Sequence, residues 1–235
     1  MTMLRGANLI WSGGAKPWTN PYDNGHLVFH IDSVWNGFNG AHTSGVGGYV
    51  DLISGNDVPL SVSFSDKYGD VSANQIVNCT MTDAVMGAFV SNEWTATYLV
   101  TVPKSTTSPY WQPLFIDGDG LRGYINKNVY WYPFFGVGNG SNSTAIYPLI
   151  DGDNLVIRAF LRYSGTNSGI RYLNSAGSLK TVTRTISHSG VAPTIFQMKF
   201  ASGARIYGLR IYNKAMADGE IDEIYSFDLD HFGLT

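Results

Sequence analysis

Arg205-Ile-Tyr-Gly-Leu-Arg-Ile-Tyr-Asn-Lys-Ala-Met-Ala-Asp-Gly-Glu-Ile-Asp-Glu-Ile-Tyr-Ser-Phe-Asp-Leu-Asp-His-Phe-Gly-Leu234 carries the two periodicities that decide the fold. Tyr207, Leu209 and Ile211 recur at period two after a Ser202-Gly203 turn, the spacing of a strand with one face on a core. Asp218 stands where a helix N-cap is wanted, and Glu220 sits in the first turn, where the helix dipole favours a negative charge. Ile221, Ile224 and Tyr225 then share one helical face. The spacing therefore predicts a strand followed by a short helix over 219–226.

Upstream, period two repeats. Phe196, Met198 and Phe200 alternate with Gln197 and Lys199, and Leu155, Ile157, Ala159, Leu161 and Tyr163 alternate with Arg158 and Arg162. Two runs, Ile170 to Leu173 and Leu179 to Ile186, flank the turn Asn174-Ser-Ala-Gly177 and predict a hairpin. Trp94, Ala96, Tyr98, Val100 and Val102 form a further alternating run, as do Leu60, Val62 and Phe64, and Leu27, Phe29 and Ile31. Many short alternating strands predict an all-β sandwich or barrel. Composition agrees. Only 14% of residues are charged, against about 25% in an average domain, too few to clothe a helical bundle. The 27 glycines suit a turn-dense β protein.

Other classes fall away on simple counts. A net charge of −3 gives no general attraction to nucleic acid or anionic lipid. The single cysteine, Cys79, rules out an intrachain disulfide and a cysteine-based zinc site. No apolar run approaches the roughly 18 residues of a membrane helix. The opening residues lack a basic head and apolar core, so no signal peptide is expected.

The segment 205–234 resembles the C-terminal end of concanavalin A-like, laminin-G-like jelly rolls. In that family a last strand of the type I-Y-x-x-R-I-Y-N-R-A-L precedes a short helix starting near D-x-E-I. Tyr212-Asn-Lys-Ala-Met216 and Asp218-Gly-Glu-Ile221 match both halves. Leu27-Val-Phe-His-Ile-Asp32 is similar to the family's opening strand, and Asp51-Leu-Ile-Ser-Gly-Asn56 to its W-x-D-L-S-G-N loop. Here Tyr49 stands in place of the Trp, and Ile53 is an insertion. The resemblance implies an all-β, two-sheet antiparallel jelly-roll sandwich with one short C-terminal helix. It divides the chain into residues 1–25, an N-terminal arm or edge strand, and residues 26–235, a concanavalin A-like jelly-roll domain.

Glycosidases of that family carry E-x-D-x-(x)-E on a strand. The chain has only three glutamates, Glu93, Glu220 and Glu223, and none begins such a motif. Hydrolysis needs two facing carboxylates roughly 5–10 Å apart. No enzyme activity is expected on this reading. Asp117-Gly-Asp119-Gly and Asp151-Gly-Asp153-Asn offer oxygen ligands for Ca2+, yet Asp-Gly pairs also simply make turns. Turns are the plainer reading, with Asp117, Asp119, Asp151 and Asp153 the candidate ligands otherwise. His26 and His30 share a strand face but lie roughly 13 Å apart, too far for a chelate. Tyr130, Trp131 and Tyr132, with Trp111 upstream, are the candidate ligand-binding residues, because sugars stack their apolar ring faces on exposed aromatics. Core packing is the competing role for these rings.

The expected function is a virion or cell-surface protein with a lectin-like jelly roll: a phage structural, decorating or adhesion protein that binds glycans. The alternatives are a bacterial carbohydrate-binding module and, disfavoured, a glycoside hydrolase. Expected partners are a glycan or host-surface polysaccharide and other virion proteins or copies of the chain, met through the arm. That arm holds Leu9, Ile10, Trp11 and Trp18 among turn residues. They pack either on the chain's own sheet or on a neighbour. Neither nucleic acid nor membrane is an expected partner. The expected location is the virion, assembled in the host cytoplasm, or else the bacterial surface.

Overall fold

The computed structural model describes residues 20–35, 45–91, 93–103, 110–116, 122–127, 133–136, 143–145, 149–151, 154–164, 167–173, 179–185 and 192–234. The arm residues 1–19 lie outside this set.

The first half of the chain forms β1 (Leu27–Asp32), β2 (Gly45–Val50), β3 (Asp57–Phe64), β4 (Gly69–Val71), β5 (Gln75–Asn78), α1 (Asp83–Val90) and β6 (Glu93–Pro103). The middle adds β7 (Tyr110–Ile116), β8 (Arg122–Lys127), β9 (Pro133–Gly136), β10 (Ser143–Ala145) and β11 (Leu149–Asp151). The last third holds β12 (Asn154–Ser164), β13 (Asn167–Leu173), β14 (Leu179–Thr185), β15 (Phe196–Phe200), β16 (Arg205–Tyr212) and α2 (Asp218–His231).

These strands make two antiparallel sheets. The larger runs β14-β13-β12-β6-β16-β4-β3-β2, with β1 also on β16 and β11 on β12. The smaller runs β10-β9-β8-β7-β15-β5. One core cluster draws on both: Phe29, Ile31, Leu60, Val62, Trp94, Tyr98, Leu209 and Ile211 from the larger sheet, and Val77, Phe196, Met198 and Phe200 from the smaller. The chain is therefore mostly β, its two sheets packed as a sandwich. The two strands expected to flank a hairpin turn do pair, with Leu173 opposite Leu179, while the turn residues 174–178 lie outside the described residues. Gln75 ties the layers at one edge: its amide accepts from Ser61 N–H at 2.8 Å and donates to Ser61 C=O at 2.7 Å.

Three expectations need correction. β1 was read as alternating, yet all six residues are buried, because α2 covers its second face. Tyr207 was placed with Leu209 and Ile211. A β-bulge between Ile206 and Gly208 shifts the register. Ile206, Leu209 and Ile211 therefore enter the main core, while Tyr207 packs with Leu99 and Phe232 on the opposite face. Finally, α2 runs to His231 rather than stopping near 226, and its N-cap is Ala217, not Asp218. Glu220 closes that end by accepting the Ala217 N–H at 2.8 Å. The helix α1 was not foreseen. Thr82 caps it through the Val85 N–H, and Phe89 meets Trp94 edge-on at 5.1 Å.

Thr95 joins β6 to the segment before α2. Its hydroxyl donates to Lys214 C=O at 2.8 Å and accepts from Met216 N–H at 2.9 Å. Thr95→Val should cost about 1–3 kcal/mol, since it strands a buried N–H. Urea unfolding checks this, and an unchanged midpoint would contradict it. Among the described residues no helix is long and apolar enough to cross a membrane.

Candidate functional site

The most densely charged place in the described structure lies where β1, β16 and α2 meet. β1 supplies His30 and Asp32, β16 supplies Arg210, and α2 supplies Asp228 and His231. His30, Asp32 and Arg210 are 0% exposed. Strand pairing places His30 opposite Arg210, which brings their side chains to one face.

Arg210 is the hub. Its Nη2 approaches Asp228 Oδ1 at 2.9 Å and Asp32 Oδ2 at 3.7 Å. Its Nη1–H donates to Asp228 Oδ2 at 3.4 Å. The guanidinium lies 3.4 Å over the Tyr22 ring, and the Tyr22 hydroxyl donates to Asp228 Oδ1 at 2.6 Å. Asp32 also accepts backbone N–H groups from Val34 and Trp35 at 2.8 and 3.0 Å, and lies 3.1 Å from His231 Nε2.

Electrostatics follow from dryness and pairing. Burial alone would raise Asp32, but hydrogen bonds from His231 and His30 outweigh it and hold the carboxyl well below the usual range. Burial pushes Asp228 up, against the pull of Arg210 and the Tyr22 hydroxyl. Burial likewise pushes the Tyr22 phenol up, so it stays protonated at neutral pH. Burial lowers His30 to about 4. The Asn20 amide lies 3.0 Å from its Nδ1, and the Arg210 Nε–H points at its Nε2 from 3.3 Å. A neutral ring has one lone pair to offer and takes the Arg210 Nε–H as the tautomer protonated on Nδ1, whereas a cationic ring, with N–H on both nitrogens, could not take it.

These groups are shut away from solvent, so the cluster bolts α2 and the 20–22 segment onto the sheet and offers no reacting atom to a ligand. Beside it lies a cleft of about 270 Å³ lined by Pro21, Tyr22, Met216, Glu223, Ile224 and Phe227, among others. It is slightly smaller than a usual ligand pocket.

Of the candidate site residues singled out from sequence, two fall on described strands. Trp111 is on β7, opposite Ile125, and Asp151 is on β11, opposite Asn154. The side chains of both are outside the described set, as are Tyr130, Trp131, Tyr132, Asp117, Asp119 and Asp153 altogether. Among the described residues no group of three or more His, Cys, Asp or Glu could hold a metal ion. His26 is exposed and lies 3.1 Å from Asn213 Oδ1, while His30 is enclosed, so the two form no chelate. The buried cluster itself was missed. Its signal was present as charged residues within apolar strands, His30 and Asp32 in β1 and Arg210 in β16.

No family model and no curated protein matches the chain. Solved structures do. A Trypanosoma rangeli sialidase in complex with sialic acid aligns over 93% of this chain at 10% identity, with a TM-score of 0.58. The same sialidase with a difluorosialic acid, as a covalent intermediate, aligns over 87% at 11% identity, with a TM-score of 0.59. The binding domain of botulinum neurotoxin serotype C1 aligns over 87% at 12% identity, with a TM-score of 0.52. The chain spans 35% and 33% of those two sialidase chains and 52% of the toxin chain. At these identities the likeness concerns the fold. It still corrects one expectation. The chain was set aside as a non-enzyme for lack of a glutamate motif, whereas the sialidases it resembles are enzymes, one of them held as a covalent intermediate.

Proposed function

We propose that this chain is a carbohydrate-binding β-sandwich. One observation carries the reading: the fold extends over nearly the whole chain onto a sialidase seen with sialic acid, and over most of it onto a toxin's binding domain. Concanavalin A-like jelly-roll connectivity is part of the proposal, supported by the Tyr212–Met216 and Asp218–Ile221 motifs. A narrower role, adhesion or decoration of a virion, is supported by the two tryptophans of the arm, which suit docking on a larger particle.

The test is an array of neutral and acidic glycans probed with the full chain. Binding to at least one class is expected, with affinity lost when Trp111, Trp131 or Tyr132 is replaced by Ala if the aromatic segment is the platform. An array without a hit at high protein concentration would remove the reading. The sialidase likeness adds a parallel assay with a fluorogenic sialoside, in which turnover would move the reading from binding to hydrolysis.

A further inference from the structure

The cleft beside the buried cluster has two stiff walls. One is the turn 20–25. Asn20 accepts the Tyr22 N–H on its side chain at 3.1 Å and the Asp23 N–H on its carbonyl at 3.1 Å, and Asp23 accepts the Gly25 N–H at 2.9 Å. The other wall is α2, where Glu220, Glu223, Ile224 and Phe227 recur at i, i+3, i+4 and i+7 and so share one helical face. The Tyr22 hydroxyl, bonded to Asp228, ties the two walls together. A site held this way loses little freedom when a ligand enters.

The lining is sorted by polarity. Pro21, Met216, Ile224 and Phe227 supply apolar surface, and Asn24, Glu220 and Glu223 bring polar groups. Met216 and Ile224 are buried, while Asn24 and Glu223 are exposed, so the floor is apolar and the mouth polar. Glu220 is already engaged, accepting from Lys214 Nζ at 2.6 Å and from the Ala217 N–H at 2.8 Å. Glu223 has no ion-pair partner among the described residues. Asn24 Oδ1 takes the His26 N–H at 3.1 Å, which leaves the amide N–H groups as donors.

An apolar floor with an acceptor and a donor at its mouth complements a sugar ring, whose C–H face is apolar and whose edge carries hydroxyls. At about 270 Å³ the cleft takes one ring rather than several. Charge decides which kind. Residues 20–26 and 213–231 hold seven Asp and Glu against one Lys, Lys214, and no Arg. An acidic sugar meets like charge there, and an amine meets its opposite.

We infer that this cleft holds one non-acidic sugar ring of a glycan, seated on Pro21, Ile224 and Phe227 and hydrogen-bonded by Glu223 and Asn24. A free amine on that ring pairs with Glu223 and strengthens binding. The inference rests on the carbohydrate reading and gives it a site and a ligand class.

The experiment probes the full chain with glycans ending in glucose, galactose, mannose or N-acetylglucosamine. The amino-sugar, sialylated and sulfated forms of each are tested beside them, with an oligolysine peptide. At least one neutral terminus should bind, its amino form more tightly and its acidic forms more weakly, with the differences shrinking as salt rises. E223A and N24A should each lose about fivefold in affinity, the usual worth of one hydrogen bond. E223Q, which keeps an acceptor and drops the charge, should cancel the advantage of the amine. Both positions are exposed, so these variants should fold, and melting checks them. D57N, on exposed β3 sequence, controls for net charge and should bind as the parent does. Sugar binding indifferent to E223A and N24A, or as tight for the acidic forms as for their parents, overturns the inference and leaves the carbohydrate reading standing. Binding of no sugar removes both. Binding of oligolysine alone, lost in E223A, overturns it in favour of a docking site for a basic partner.

Discussion

Arg210→Met should destabilise the fold by about 3–5 kcal/mol, the usual consequence of removing one partner from a buried ion pair. Arg210 is fully enclosed and faces two carboxylates, Asp228 at 2.9 Å and Asp32 at 3.7 Å. Methionine would fill much of the space but leave both acids without their cation in a dry site. Asp228 would retain only the Tyr22 hydroxyl among its side-chain partners seen here. The loss should reach α2 first, because Asp228 and His231 are its polar ties to the sheet. A second substitution discriminates the cause. In R210M/D228L one stranded charge is gone, so the double variant should be less destabilised than the sum of the singles. Urea unfolding of the four proteins reads the cycle. An R210M variant within 1 kcal/mol of the parent would show that the cluster contributes little.

Much of the architecture was legible because its signals are local. Strands with one wet face declare themselves by alternation, and β3 is the plain case, with every second residue from Val58 to Phe64 buried. Elements covered on both faces hide. β1 and β16 read as ordinary half-buried strands, although α2 packs on their outer side. The end of α2 was misjudged for a related reason. Phe227-Asp-Leu-Asp-His231 is a poor helix by propensity, yet Asp228 and His231 are held by Arg210 and Asp32, more than 15 residues away in sequence. The bulge at Ile206 and Gly208 leaves no local signature, so Tyr207 was assigned to the wrong side. The binding residues chosen from sequence rested on residue type alone.

Stability should fall as pH drops from about 6.5 to about 4, and His30 should account for about 3 kcal/mol of the loss. In the unfolded chain an imidazole titrates near 6.5, whereas burial lowers it to about 4 in the fold. Between those values the unfolded chain binds the extra proton, so stability rises with pH across the window and is fully present above it. The geometry supplies the reason. The Arg210 Nε–H points at Nε2, the Asn20 amide lies against Nδ1, Asp32 lies 3.4 Å from Nε2, and Tyr22 packs edge-on at 5.2 Å. His231 and Asp228 approach from α2 through their bonds to Asp32 and Arg210, and Asp51 holds the His30 backbone N–H at 3.0 Å. Other groups shape the profile. Asp32 is held low, so its contribution is present above the ordinary carboxylate range and is lost only on further acidification. Burial raises Asp228 and Asp51, whose contributions run the other way and fade as pH rises through their folded values. His30→Gln separates these effects. Gln keeps a donor and an acceptor but cannot titrate, so subtracting its stability profile from the parent's should leave a one-proton slope between pH 4 and 6.5. Parallel profiles through that window would show that protonation of His30 is not what acid acts on.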